Sequence, residues 1–107
     1  MISFQEWQKV ELKVAKIESA EDIPGKDRLY RLLIDLGGEK RQIVAGLRQY
    51  YTKEQLAGKS IVVVSNLEPV RIAGLESQAM LLAAKDKDGG YKVVTIDESV
   101  PAGTKVE

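Results

Sequence analysis

The sequence predicts an all-β fold, a small and strongly bent barrel of short strands with one or two turns of helix attached. Three observations point there. Apolar and polar residues alternate with a period of two in several short runs. Those runs are separated by segments rich in Gly, Pro and Asp. The internal helix signal is short and falls between the third and fourth strands.

Each element has its own signature. Ser3-Phe4-Gln5-Glu6 is a capping box, which starts a short helix from about Phe4 to Lys9. Val10, Leu12 and Val14 alternate with Glu11 and Lys13 as a strand. The phase slips before Ile17, and a slip within a strand predicts a bulge that bends it. Ile23-Pro24-Gly25-Lys26-Asp27 reads as a loop. Tyr30, Leu32, Ile34 and Leu36 form a second strand, Gly37-Gly38 a hairpin turn, and Lys40 to Ala45 a third strand. Thr52-Lys53-Glu54-Gln55 is another capping box, opening a helix over 52–57 that Gly58 ends. Ser60 to Leu67, Gln78 to Ala84 and Tyr91 to Ile96 are strands, with a turn at Asp86-Lys87-Asp88-Gly89-Gly90. A helix between the third and fourth strands is the layout of the OB-fold, a five-stranded Greek-key barrel. Another small barrel, such as an SH3-like one, fits the same pattern.

The length of 107 residues suits one domain spanning 1–107. The longest apolar run, Ile61 to Val64, is strand-sized and far below the roughly 20 residues of a membrane span. The N-terminus shows no secretory signal, so a cytoplasmic site of action is expected. Neither Cys nor His occurs. Thiolate chemistry is therefore excluded, a zinc site is left with carboxylates alone, and neutral-pH acid–base catalysis lacks its commonest agent. Neither a catalytic residue nor a metal or cofactor site is expected.

Net charge is zero, but its distribution is uneven. Between Lys26 and Lys53 lie seven cations and three anions, leaving nine cations and thirteen anions elsewhere. Folded onto one face, Lys26, Arg28, Arg31, Arg41 and Arg48 would make a basic patch, with Tyr30, Tyr50 and Tyr51 interleaved. Cations for phosphates and flat rings for bases are the materials of a nucleic-acid site. A solvated surface of mixed charge, with tyrosines in the core, is the competing reading.

Other motifs are weaker. Gly58-Lys59-Ser60 resembles the end of a phosphate loop, but such a loop needs Gly at position 53, which is Lys, and a strand before it. Asp86-Lys87-Asp88 lacks the ligands of a calcium loop: Gly90 stands at one ligand position and Asp97 where Glu is needed. Asp97-Glu98 has no accompanying nucleophile. From chemistry alone, Asn66 to Leu82 is a loop leading into a buried strand.

That last segment, Asn66-Leu67-Glu68-Pro69-Val70-Arg71-Ile72-Ala73-Gly74-Leu75-Glu76-Ser77-Gln78-Ala79-Met80-Leu81-Leu82, closely resembles the signature of the tRNA-binding domain family. Phe4 to Val14, Asp27-Arg28-Leu29, Val44-Ala45-Gly46-Leu47, Tyr51-Thr52 through Gly58-Lys59 and Val100-Pro101-Ala102-Gly103 match as well. The family includes C-terminal appendices of methionyl-tRNA synthetases, stand-alone tRNA-binding proteins and an export-associated chaperone. The resemblance implies an OB-fold with a C-terminal extension that builds a homodimer. It implies a non-catalytic module that binds tRNA, an appendix to the catalytic part of a methionyl-tRNA synthetase. The alternative is a dimeric chaperone binding peptides on the same scaffold, and a further one is an assembly module joining synthetases. By motif position, Asn66, Arg71, Ser77 and Met80 would face RNA, and Lys26 and Arg28 would occupy a basic loop. Glu68 departs from a common Lys, Ala73 from a bulkier or basic residue and Ala79 from a usual Gly.

Independently of the resemblance, the tail from Asp97 to Glu107 carries Val100, Pro101 and Val106. Those apolar residues need a surface, and a two-fold interface is expected to supply it.

Overall fold

A computed structural model describes residues 1–107. Capping chemistry sets both helices. In α1 (Phe4–Trp7) the Ser3 hydroxyl accepts from the Glu6 amide and the Glu6 carboxylate accepts from the Ser3 amide. Thr52 and Gln55 repeat the arrangement at α2 (Lys53–Leu56), whose Leu56 is fully buried. Gly58 follows α2 with a φ of 85°, in the left-handed region open to Gly.

Ten strands follow from the alternating runs: β1 (Leu12–Ile23), β2 (Lys26–Asp35), β3 (Lys40–Ala45), β4 (Ser60–Val64), β5 (Val70–Ile72), β6 (Leu75–Ser77), β7 (Met80–Leu81), β8 (Ala83–Lys85), β9 (Tyr91–Val93) and β10 (Lys105–Val106). The main sheet runs β3-β2-β1-β4-β7, all antiparallel, with β10 beside the start of β1. β5–β6 and β8–β9 are separate hairpins. No helix is long and apolar enough to cross a membrane.

β1 is the spine. Leu12 to Lys16 pairs with β4 and Lys16 to Ile23 with β2. Ala15 and Ile17 join an inner cluster with Leu32, Ile34, Ile43, Leu56, Ile61 and Val63, while Val14 is buried outside it. Successive strand residues face opposite ways, so here both faces of β1 are covered. This explains the sequence phase slip at Val14–Ile17: the buried face changes while pairing with β4 stays regular. The bulge comes later, between Ile17 and Ser19.

The expected barrel is not closed by strand pairing. β3 and β7 lie close but share no ladder. Side chains bridge the gap instead. The Val44 amide donates to Ser77 Oγ at 3.1 Å and the Gln42 amide to Gln78 Oε1 at 3.0 Å, while the Gln78 amide returns a bond to the Gln42 carbonyl. Exposed strand edges invite pairing with other chains, and these bonds occupy the edge of β3.

Three further expectations change. Lys26 and Arg28 lie in β2, because Pro24-Gly25 alone makes the turn and Ile23 pairs with Lys26. The stretch read as a loop before Gln78 contains the β5–β6 hairpin, turned at Ala73-Gly74 with φ of 52° and 79°. Positive φ at both central residues is the hairpin-favouring turn, and Ala at the first disguises it. The strand expected over Gln78 to Ala84 is split into β7 and β8, each with a different partner.

Candidate nucleic-acid interface

The sequence concentrates cations in residues 26–53, and folding offsets them. β2 pairs with the acidic half of β1, which brings carboxylates against the basic stretch. Arg31 meets Glu21 at 3.2 Å, and Lys40 pairs with Glu18. Arg41 holds Glu39 at 3.0 Å and also donates to the Ser65 and Gln78 carbonyls. That guanidinium, by hydrogen bond and by charge, holds the Glu39 carboxyl below the usual carboxylate range. Arg48 and Lys53 share Asp22, at 3.3 and 3.0 Å. Of the seven cations, Lys26 and Arg28 alone have no carboxylate partner.

The residues chosen from the motif divide in the same way. Asn66 accepts from the Glu11 amide at 2.9 Å and donates to the Lys9 carbonyl at 2.7 Å, tying the connection between α1 and β1 to the turn after β4. Ser77 is 1% exposed, and its hydroxyl joins the Val44 amide to the Ala79 carbonyl. Ala79 is buried in the core without a positive φ, so its methyl is accommodated. Arg71 is exposed on the β5–β6 hairpin and donates to the Gly74 carbonyl. Met80 is half-buried against the core and lines a groove. Of these, Met80 and the hairpin bearing Arg71 come together.

That groove, about 400 Å³, is the most apolar concavity of the molecule. Leu29, Val44 and Gly46 supply one wall, Ile72 of the β5–β6 hairpin another, and Met80, Ala83 and Tyr91 the remainder. No carboxylate lines it. Arg28 precedes Leu29 in β2 and Arg71 precedes Ile72 in β5, and with side chains alternating along a strand neither Arg is among the lining residues. Lys85 Nζ lies 5.9 Å from the centre of the Tyr91 ring, whose edge meets Tyr50 at 5.7 Å between centres. Neither Arg28, Arg71, Lys85 nor Lys92 is in an ion pair. Tyr91, Lys85 and Lys92 escape sequence reasoning because nothing in a DG-type turn shows which wall its hairpin will build.

The tyrosines of the basic segment have other duties. Tyr30 is buried, and its hydroxyl donates to the Tyr51 carbonyl at 2.8 Å. The Tyr51 hydroxyl accepts from the Val93 amide at 3.0 Å, anchoring β9. Tyr50 is exposed beside Tyr91. A second, polar cleft between Asp22, Arg48, Tyr50 and Lys53 opens next to α2.

Comparison with known proteins identifies the family. Residues 12–105 match the family described as "putative tRNA binding domain". The chain is 50% identical over 105 residues to methionine–tRNA ligase of Thermotoga maritima, covering 98% of this chain and 16% of that protein. It is 47% identical over 106 residues to methionine–tRNA ligase of Bacillus subtilis, covering 99% of this chain and 16% of the ligase. The chain thus spans about a sixth of the length of these relatives. Among solved structures it resembles a MetRS-related protein from Pyrococcus horikoshii, with 36% identity, TM-score 0.93 and coverage of 100% of this chain and 98% of that one. It also resembles the chaperone CsaA from Bacillus anthracis, with 30% identity, TM-score 0.90 and coverage of 100% and 99%. With the match spanning nearly the whole chain, from the first residue of β1 to the first of β10, this protein belongs to the tRNA-binding domain family.

Proposed function

We propose that this chain is a non-catalytic, OB-fold tRNA-binding module, one unit over 1–107, that serves in the cytoplasm as an appendix raising the hold of a methionyl-tRNA synthetase on tRNA. The observation that carries the reading is the convergence, on one groove, of β2, the β5–β6 hairpin and the β8–β9 hairpin, each bringing cations free of carboxylate partners. An OB-fold binds oligonucleotides on its second and third strands, between the loops that flank them. Leu29 and Val44 of the groove stand on those two strands, and the β5–β6 hairpin flanks them.

The module is proposed to act as a homodimer. Ile2, Phe4, Trp7 and Val10 are exposed, and Phe4, Trp7 and Val10 line a recess with Val106 of β10. The N-terminal turn and the C-terminal strand together offer an apolar surface of the kind a two-fold interface covers. Two copies would add avidity for one tRNA.

The test is tRNA affinity as a function of salt. Each phosphate neutralised contributes about −0.7 to −0.9 to the log–log slope. Arg28→Ala and Arg71→Ala each lower the slope's magnitude by about one, if each meets one phosphate. Absent or salt-insensitive binding overturns the reading. The apolar lining of the groove favours one rival, a peptide-binding chaperone; binding of unfolded peptide in preference to tRNA would establish it.

A further inference from the structure

We propose that the groove between Leu29, Ile72, Met80 and Tyr91 is a stacking site for one unpaired nucleobase, so that the module distinguishes RNA with an extruded or single-stranded nucleotide from RNA that is fully duplex. This inference rests on the tRNA-binding reading and adds to it the chemical class that one subsite takes.

Size and lining carry the argument. A volume of about 400 Å³ lies at the low end of small-molecule sites, roughly 300–1,000 Å³, and suits a nucleoside but not an RNA helix. Contacts to phosphates alone would need no such recess. The walls are aliphatic and aromatic, and Tyr91 is the one aromatic ring among them. A base is flat and has an apolar face, and stacking on an aromatic side chain is a main source of affinity in single-strand binders. No side-chain amide, carboxylate or guanidinium lines the groove, so the Tyr91 hydroxyl is the one polar side-chain group there for a base edge. Stacking dominates such a site, which favours the bases that stack best.

Charge selects a nucleotide over an apolar peptide. Lys85 Nζ lies over the Tyr91 ring of the lining, and no carboxylate is there to pair with it. A phosphate flanking a base stacked there would meet Lys85, whereas an apolar peptide segment leaves that cation unused.

Gly46 provides a clean variant. It is exposed on the groove wall, has no positive φ, and an added Cβ would meet only the Arg28 carbonyl oxygen, at 3.9 Å. Gly46→Leu therefore fills space at the groove without deleting a packed side chain. Met80 provides a probe, since the other methionine, Met1, is fully exposed at the N-terminus.

The experiment titrates the full chain, with its methionine methyls isotopically labelled, against a short unpaired oligoadenylate, a blunt RNA duplex of equal length, an apolar peptide and tRNA. The expected result is an upfield ring-current shift of the Met80 methyl with oligoadenylate and tRNA and none with duplex. Gly46→Leu should weaken oligoadenylate binding about tenfold, as loss of one stacked base implies, with duplex affinity and melting temperature unchanged. Salt-dependent tRNA binding without a Met80 shift overturns the base site while leaving tRNA binding standing. A Met80 shift with peptide but not oligoadenylate overturns it in favour of a protein ligand. Failure to bind tRNA overturns the reading beneath it and this inference together. If Gly46→Leu does not fold, the Met80 shift in the unsubstituted protein decides.

Discussion

Asp22 is an internal competitor for phosphate. One oxygen meets Arg48 and the other Lys53, so a single carboxylate is shared by two cations beside the polar cleft and offsets one of their two charges. All three side chains are partly exposed, where ion pairs contribute little to stability, about 0–1 kcal/mol. Asp22→Asn should therefore leave the melting temperature almost unchanged. It should raise tRNA affinity several-fold at low salt and steepen the salt slope by about one to two. An unchanged slope in a salt titration would remove Arg48 and Lys53 from the RNA-facing set. Met80 shows why residue roles are hard to read from sequence, because it packs on the core and lines the groove at once. Met80→Ala should both lower stability, by less than the ~2–5 kcal/mol of a fully buried methionine, and weaken tRNA binding with the salt slope preserved. Thermal melting beside affinity separates the two effects.

At the scale of elements, the β5–β6 hairpin and the short stretch after it do two jobs. Ile72 and its neighbour Arg71 reach the groove, while Ser77 and Gln78 satisfy the edge of β3. Their bonds to Val44 and Gln42 hold the hairpin to the strand whose face it flanks. Ser77→Ala removes the acceptor for a buried amide, which costs about 1–3 kcal/mol. Denaturant unfolding should show that loss as a lower midpoint with an unchanged slope. Loss of tRNA affinity out of proportion to the loss of stability would make Ser77 a direct RNA contact. Sequence reasoning located this segment through its resemblance to the family signature but assigned Ser77 and Asn66 outward roles. Their hydroxyl and amide are polar enough for either task, and periodicity does not reveal which backbone groups lack a partner.

Over the whole molecule, the C-terminal tail is locked to the β2–β3 turn by two glycines. A Cβ on Gly103 would come within 2.5 Å of the Leu36 carbonyl oxygen, and one on Gly37 within 2.5 Å of the Ala102 oxygen. Both also have positive φ, 90° and 84°. The Gly103 amide bonds the Val14 carbonyl, and β10 then pairs with Leu12 and Lys13. Gly103→Ala should detach the tail from β1. If the tail and the N-terminal turn form the two-fold interface, sedimentation should show the parent chain as a dimer at micromolar concentration and Gly103→Ala as a folded monomer. A monomeric parent, or a variant that stays dimeric with its tail released, would count against that interface.

The sequence by itself determined the all-β class, both capping boxes, the Gly37-Gly38 turn and β3 to the residue. These depend on contacts within a few residues or on alternation along one strand, and both are written locally. It also carried the family signature. Only the tertiary structure decided where the charge went. A run of cations in sequence becomes a basic face only if its neighbours across the sheet are neutral, and Glu18, Glu21 and Asp22 on β1 are not. The groove arose in the same way, from strands and hairpins spanning Leu29 to Tyr91. Concavity and charge balance are properties of surfaces, fixed by which distant segments pack together.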